Sequence, residues 1–250
     1  SGLEITLLCA VPKGSGLGTS SVLGGVILAA LSRLLGRPLV LDELIRQVLQ
    51  VEQMLTTGGG WQDQIGGLVS GVKCVESRPG LRPHPVIHQL DPFLFQDRES
   101  LACFTLFYTG ITRLAKNILA EVVDQVNGAS KAYLFTLRHM AQLALDAKDA
   151  IERRDRDALA DVLALSWAAN QRVHPSTTNE EVEEILAATR PHFRGVKLLG
   201  AGGGGYALFL SPSPREAEAV RDGLRRRFEN ERARLVDFSL STCGLEVSVS

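Results

Sequence analysis

Pro12-Lys13-Gly14-Ser15-Gly16-Leu17-Gly18-Thr19-Ser20-Ser21 lies between a β-like run, Leu3 to Val11, and a long apolar one, Thr19 to Leu35. Three glycines at alternate positions allow successive backbone amides to turn toward one point. A helix starting at Thr19 adds its free N–H groups and the positive end of its dipole. The segment therefore reads as a phosphate cradle between a buried strand and a helix enclosed by other elements. It is not a Walker loop, because no Gly-Lys-Ser/Thr stands at the required spacing, and Thr19 replaces the third glycine of a dinucleotide fingerprint. The hydroxyls of Thr19, Ser20 and Ser21 can cap the helix or reach a metal ion. A tight turn with a serine cap is the plainer alternative, but a turn needs only one or two glycines.

Working outward, Asp42 caps a second helix through about Thr56, with apolar residues at Leu41, Leu44, Ile45, Val48, Leu49 and Leu55. Glu52 falls on the apolar stripe of that helix, four residues after Val48 and three before Leu55. A carboxylate there needs a cation or several donors. A magnesium ion shared with a hydroxyl of the first loop would meet that need; so would an internal salt bridge, or a helix end that tips Glu52 into water. Gly58 to Gly60 ends the helix and leads into Trp61-Gln62-Asp63-Gln64. Asp63 reads either as a ligand-facing carboxylate or as a turn or N-cap aspartate.

Short strands are expected near Leu68 to Val75, an exposed connection over Ser77 to Pro92, and a strand over Cys103 to Tyr108. Helices follow over 114–126, 129–153, 158–172 and 179–189, then strands Val196–Leu199 and Tyr206–Leu210, a helix after Pro214 and a last strand over Leu245–Val249. Between two of these strands, Gly200-Ala201-Gly202-Gly203-Gly204-Gly205 has five glycines where a hairpin needs two. The excess implies a backbone packed against a ligand or against the first loop. Mixed strands and clustered helices give an α+β chain in two lobes.

The composition excludes several classes. Apolar residues make up 45% of the 250 residues, and 27 Lys+Arg nearly cancel 28 Asp+Glu to leave a net charge of -1. That is an ordinary globular balance, without the basic excess of a nucleic-acid binder and without a membrane-length apolar run. The four cysteines are far apart, and those in apolar runs, Cys9 and Cys103, read as buried free thiols. A reducing cytoplasm is expected. Arg225-Arg226-Arg227 reads as the solvated face of a helix, and His174 as a surface histidine, the alternative being one that approaches the site from a helix end.

Together the segments Pro12–Ser21 and Lys197–Tyr206 resemble the phosphate-binding and C-terminal glycine motifs of the GHMP small-molecule kinases. Within them, Gly59-Gly60-Trp61-Gln62-Asp63-Gln64 and Tyr108-Thr109-Gly110-Ile111-Thr112-Arg113-Leu114-Ala115-Lys116 resemble the kinase domain of the L-fucose kinases. Some of those carry a guanylyltransferase domain upstream, and heptose-phosphate kinases share much of both segments.

The resemblance implies a two-lobed fold. Residues 1–100 would be the remainder of an N-terminal lobe like domain 2 of ribosomal protein S5, and residues 101–250 a ferredoxin-like C-terminal lobe with extra helices. It implies ATP and Mg²⁺ as cofactors, with Lys13, Gly14, Ser15, Gly16, Leu17, Gly18, Thr19, Ser20 and Ser21 around the phosphates. Gly202, Gly203 and Gly204 would close the site from the other lobe. Ser20 and Glu52 would hold the metal, Asp63 would be the catalytic base, and Gly60, Trp61, Gln62, Thr109, Gly110 and Arg113 would contact a sugar.

The implied reaction is phosphorylation of an anomeric hydroxyl, L-fucose giving β-L-fucose 1-phosphate. The alternatives are D-glycero-D-manno-heptose 7-phosphate as substrate, with Arg113, Lys116 and Arg172 meeting the extra phosphate, or a noncatalytic nucleotide- or sugar-binding regulator. The family also has a segment before the phosphate loop. The chain is therefore expected to be part of a longer polypeptide, with strands that have lost neighbours.

Overall fold

The structure is a computed structural model that describes residues 2–55, 59–78, 80, 84–112, 126, 128 and 131–249. Helix α1 (Thr19–Leu34) starts at the loop, α2 (Leu41–Leu55) returns along it, and a short α3 (Gln62–Leu68) closes a three-helix group. Leu44, Ile45 and Val48 of α2 meet Ile65 and Leu68 of α3 and Ala29 of α1 in one core. The i, i+3, i+4 spacing on α2 explains why its one face is buried. Strands β1 (Lys73–Ser77) and β2 (Pro85–Gln89) form an antiparallel hairpin with Val75 opposite Ile87.

Two short helices, α4 (Phe93–Gln96) and α5 (Arg98–Ala102), lead into β3 (Phe104–Tyr108). Helices α6 (Lys131–Glu152), α7 (Arg156–Val173) and α8 (Glu180–Thr189) precede β4 (Gly195–Leu198) and β5 (Tyr206–Leu210). Helix α9 (Pro214–Arg227) and β6 (Arg234–Val236) follow. Local chemistry sets these helix starts: Asp155 accepts from Ala158 N, Asn179 from Val182 N and Ser213 from Glu216 N. Each satisfies an amide that the first turn leaves open.

The four strands of the larger sheet stand in the order β4-β5-β3-β6, all antiparallel. Counted from β3, the sequence β-helices-β-β-α-β with spatial order 4-1-3-2 is the ferredoxin-like arrangement that was expected. Phe107 and Phe209, both fully buried, pair with Trp167, Leu186, Val220 and Leu224 from the covering helices. Arg221 donates to the carbonyls of Ala102 and Phe104 and so fixes α9 across the entry to β3. A further core unites Leu90 and Leu94 with Cys103, Phe104, Ile151 and Leu210, so packing is continuous across residue 100.

Several sequence expectations need correction. Leu3–Val11 and Leu245–Val249 form no strand: a strand needs a ladder, and none of the described strands lies beside either segment. Leu3, Ile5, Leu7 and Leu8 stay exposed, and so does Cys9. Helix α1 is buried only at Ser21, Gly25 and Ala29, because it packs on α2 and α3 along one side. Asp42 lies in the first turn of α2 and not at its cap. The segment from Leu68 holds the end of α3 before β1, and the presumed connection over Ser77–Pro92 contains β2. Strand β6 was not foreseen. The helix expected over 114–126 lies outside the described residues, apart from Val126 itself, which is helical.

Candidate active site

The loop takes the form its glycines allow. Gly14, Gly16 and Gly18 all have φ between 64° and 78°, and Gly18 serves as the left-handed N-cap of α1 without any side-chain cap. The first amides of α1 are thus left for a ligand. Ser15 Oγ and Thr19 Oγ1 are buried and have no hydrogen-bond partner among the described residues. Buried polar atoms are seldom left unpaired, so these mark a place where a ligand or water belongs.

The two glycine motifs meet backbone to backbone. A Cβ on Gly16 would stand 2.5 Å from Leu199 O, one on Gly200 2.6 Å from Gly16 O, and one on Gly205 would strike Ser15 O. Glycine is needed at these positions for approach as well as for conformation. From there the second motif reaches two further segments. Gly203 N donates to Thr177 O at 2.5 Å, and Asn179 Nδ2 donates to Gly203 O at 2.9 Å. Gly205 N donates to Ile111 O, while Thr109 donates to Gly205 O through both its N and its Oγ1, each at 2.9 Å. The Thr109–Ile111 turn is therefore held against the glycine run. Arg113 and Lys116 lie outside the described residues.

Glu52 is brought from α2 to the start of α1. Ser20 Oγ and Ser21 Oγ donate to its Oε1 at 2.9 and 2.8 Å, and Gln64 Nε2 donates to its Oε2. Hydroxyls and an amide thus supply several of the donors that this carboxylate was expected to need. Asp63, the second residue of α3, packs directly on the loop: a Cβ on Gly18 would lie 2.8 Å from Asp63 Cβ. Its side chain reaches the surface, yet desolvation and then the charge of Glu52 raise its pKa above the ordinary carboxylate value.

Lys13, Gly14, Leu17 and Ser20 are exposed around the cradle, while Trp61 is partly covered and Gly60 and Gln62 are exposed. Gln64, Thr177 and Asn179 were not singled out from sequence. A glutamine in register with Leu68, four residues on along the buried side of a helix, was the available sign for the first. His174 corrects the expectation of a surface residue. It is 4% exposed, and its Nδ1 accepts from Ser176 N where α7 gives way to the turn that reaches Thr177. Arg225 behaves as expected, exposed and paired with Asp222 on the same helix.

Residues 1–71 match the family described as GHMP kinases N terminal domain, and residues 147–230 that described as GHMP kinases C terminal. With the cradle, the paired glycine motifs and the ferredoxin-like sheet in one chain, the protein belongs to the GHMP kinases. It is 40% identical over 250 residues to L-fucokinase/L-fucose-1-P guanylyltransferase of Bacteroides fragilis, a match covering 100% of this chain and 26% of that protein. It is 30% identical over 239 residues to D-glycero-alpha-D-manno-heptose 7-phosphate kinase of Campylobacter jejuni, covering 94% of this chain and 68% of that protein. In three dimensions it is similar to Streptococcus pneumoniae phosphomevalonate kinase, with a TM-score of 0.69 at 14% identity over 89% of this chain and 69% of that one. The last is a likeness of fold. The chain thus spans about a quarter of the length of the first of these relatives.

Proposed function

We propose that this chain is the kinase part of a sugar 1-kinase that transfers the γ-phosphoryl group of ATP to the anomeric hydroxyl of L-fucose. The observation that carries the reaction class is the convergence of Asp63 and the Glu52–Ser20–Ser21 cluster where the phosphate loop enters α1. The 40% identity to the Bacteroides fragilis fucokinase supports the choice of sugar. A guanylyltransferase encoded upstream, a lobe boundary near residue 100 and a cytoplasmic setting belong to the same reading.

The residues present suit a magnesium ion. Among the described residues no three His, Cys, Asp or Glu side chains converge, so a cation would rely on few carboxylates, with hydroxyls and phosphate oxygens beside them. That is the oxygen-only, partly hydrated environment that Mg²⁺ favours. Glu52 and Ser20 would hold it, and bound there it would neutralise charge on the β- and γ-phosphate oxygens.

The protein's own part is positioning and proton transfer. Amides of Gly14 to Ser21 hold the phosphates, and the Gly202–Gly204 backbone limits the other side of the cleft. Asp63 accepts the proton of the sugar hydroxyl as that oxygen bonds to the γ-phosphorus. The bond from phosphorus to the β–γ bridging oxygen breaks, and ADP leaves with that electron pair. A carboxylate with a raised pKa is the better proton acceptor for this step. Trp61, Gln62, Thr109 and Gly110 would line the sugar subsite.

The test is sugar-dependent ADP release by the full-length polypeptide, with L-fucose set against D-glycero-D-manno-heptose 7-phosphate. Turnover with L-fucose is expected. Turnover only with the heptose phosphate would replace the substrate and keep the chemistry. Mg-ATP binding without turnover on either would overturn both substrates and leave a different sugar or a binding protein.

A further inference from the structure

Gln64 is not used in the chemistry proposed above, yet it is 1% exposed and sits against the carboxylate at the centre of the site. Its Nε2 donates to Glu52 Oε2. Because a carboxylate can only accept, that bond fixes which end of the amide is nitrogen. The other end, Oε1, is then buried with no hydrogen-bond partner among the described residues. Thr19 Oγ1, at the first position of α1, is a second buried oxygen in the same condition.

The choice of glutamine has a physical reason. Lysine or arginine would also hold Glu52, but would cancel the charge that a cation needs. A second carboxylate would repel it, and an aliphatic side chain would offer Oε2 no hydrogen bond. A neutral amide orients the carboxylate and leaves its charge intact. Glu52 is thereby held from two sides, by the serine hydroxyls on Oε1 and by Gln64 on Oε2. Since Asp63 precedes Gln64 on α3, one seven-residue helix carries both the residue against Gly18 and the clamp on Glu52.

We propose that Gln64 is a positioning residue for the divalent cation, fixing Glu52 for metal binding at a cost in the stability of the empty protein. This rests on the metal role given to Glu52 above. The cost is the stranded Oε1, a buried acceptor kept only because the same amide supplies Nε2.

The test measures Mn²⁺ binding by electron paramagnetic resonance in the full-length polypeptide with a nonhydrolysable ATP analogue, together with the melting temperature without metal or nucleotide. Gln64→Met, close in volume, should weaken Mn²⁺ binding about tenfold, the usual size for losing a group that orients a metal ligand. Its empty-state melting temperature should be unchanged or higher. Gln64→Asn keeps the polarity with a shorter reach and should fall between the two, which provides the answer if the methionine variant does not fold. Glu52→Gln is the control. If it loses Mn²⁺ while both Gln64 variants bind like the parent, the positioning role is overturned and the metal site stands. If Glu52→Gln also binds like the parent, the metal assignment fails and this inference falls with it. A drop in empty-state melting temperature matched by no loss of Mn²⁺ affinity would make Gln64 a purely structural residue.

Discussion

The Gly18 backbone and the Asp63 side chain touch so closely that a methyl group on Gly18 would lie 2.8 Å from Asp63 Cβ and 3.0 Å from its carboxyl carbon. Gly18 also holds φ at 64°, where side chains are strained. The cap of α1 and the residue proposed as base are therefore one packed unit. Gly18→Ala should lower kcat by roughly 100-fold through displacement of Asp63, since about 1 Å of misplacement has that effect. Steady-state kinetics beside an unfolding curve would check it: a fall in stability with normal kcat would show that the contact does not position the base.

Asp63→Asn would remove the proposed proton acceptor and leave the loop glycines in place. Turnover should fall by roughly 10²–10⁴-fold, the usual contribution of a general base, while the dissociation constant for Mg-ATP stays within about a factor of two. Single-turnover kinetics with a parallel nucleotide titration would separate the two quantities. Near-normal turnover would remove Asp63 from the chemistry.

The contact between the two glycine motifs predicts a different kind of loss. Gly200→Ala sets a methyl 2.6 Å from Gly16 O at a residue with φ of 76°, so backbone must move. Stability should drop by about 2–4 kcal/mol from strain and overpacking, and ATP binding should weaken because Gly16 belongs to the cradle. Chemical denaturation and a nucleotide titration on the same sample would read both effects.

Lys197 gives a pH signature. Its ammonium is buried against α7, donating to Ser166 Oγ at 3.0 Å, and the Asn170 amide, turned so that its oxygen faces the ammonium, accepts from it at 2.8 Å. Burial lowers its pKa from 10.5 to about 8. The unfolded chain then holds more protons between those values, so this residue's penalty is complete below pH 8 and is relieved as pH rises toward 10.5. Relative to Lys197→Met, the parent should gain about 1–2 kcal/mol between pH 7.5 and 9.5. Urea unfolding midpoints of both proteins at the two pH values would show it. Parallel curves would mean that the lysine titrates normally.

Much of this protein is legible in the chain itself. The glycine spacing from Pro12 to Ser21 implied backbone freedom at alternate positions, and Gly14, Gly16 and Gly18 all take positive φ. The apolar stripe of α2 turned Glu52 toward α1, where two hydroxyls of the loop and the Gln64 amide meet it. Tyr206–Leu210 matches its expected strand residue for residue, because a run bounded by glycines and Ser211 has little freedom to shift. Short β elements were less legible. Strands β2 and β6 exist through pairing with β1 and β3, a contact that no local pattern encodes.

The sequence by itself determined which residues could carry chemistry: local backbone freedom and helical period are properties of neighbours along the chain. Only the tertiary structure decided which of them meet. It set Asp63 against Gly18, joined Gly16 to Gly200, and buried His174 at a helix end that composition read as surface. It also gave Gln64 its place on Glu52, twelve residues away in sequence. Such contacts follow from how helices and strands pack across long loops, so the same short motif reads as a turn or as a site until that packing is known.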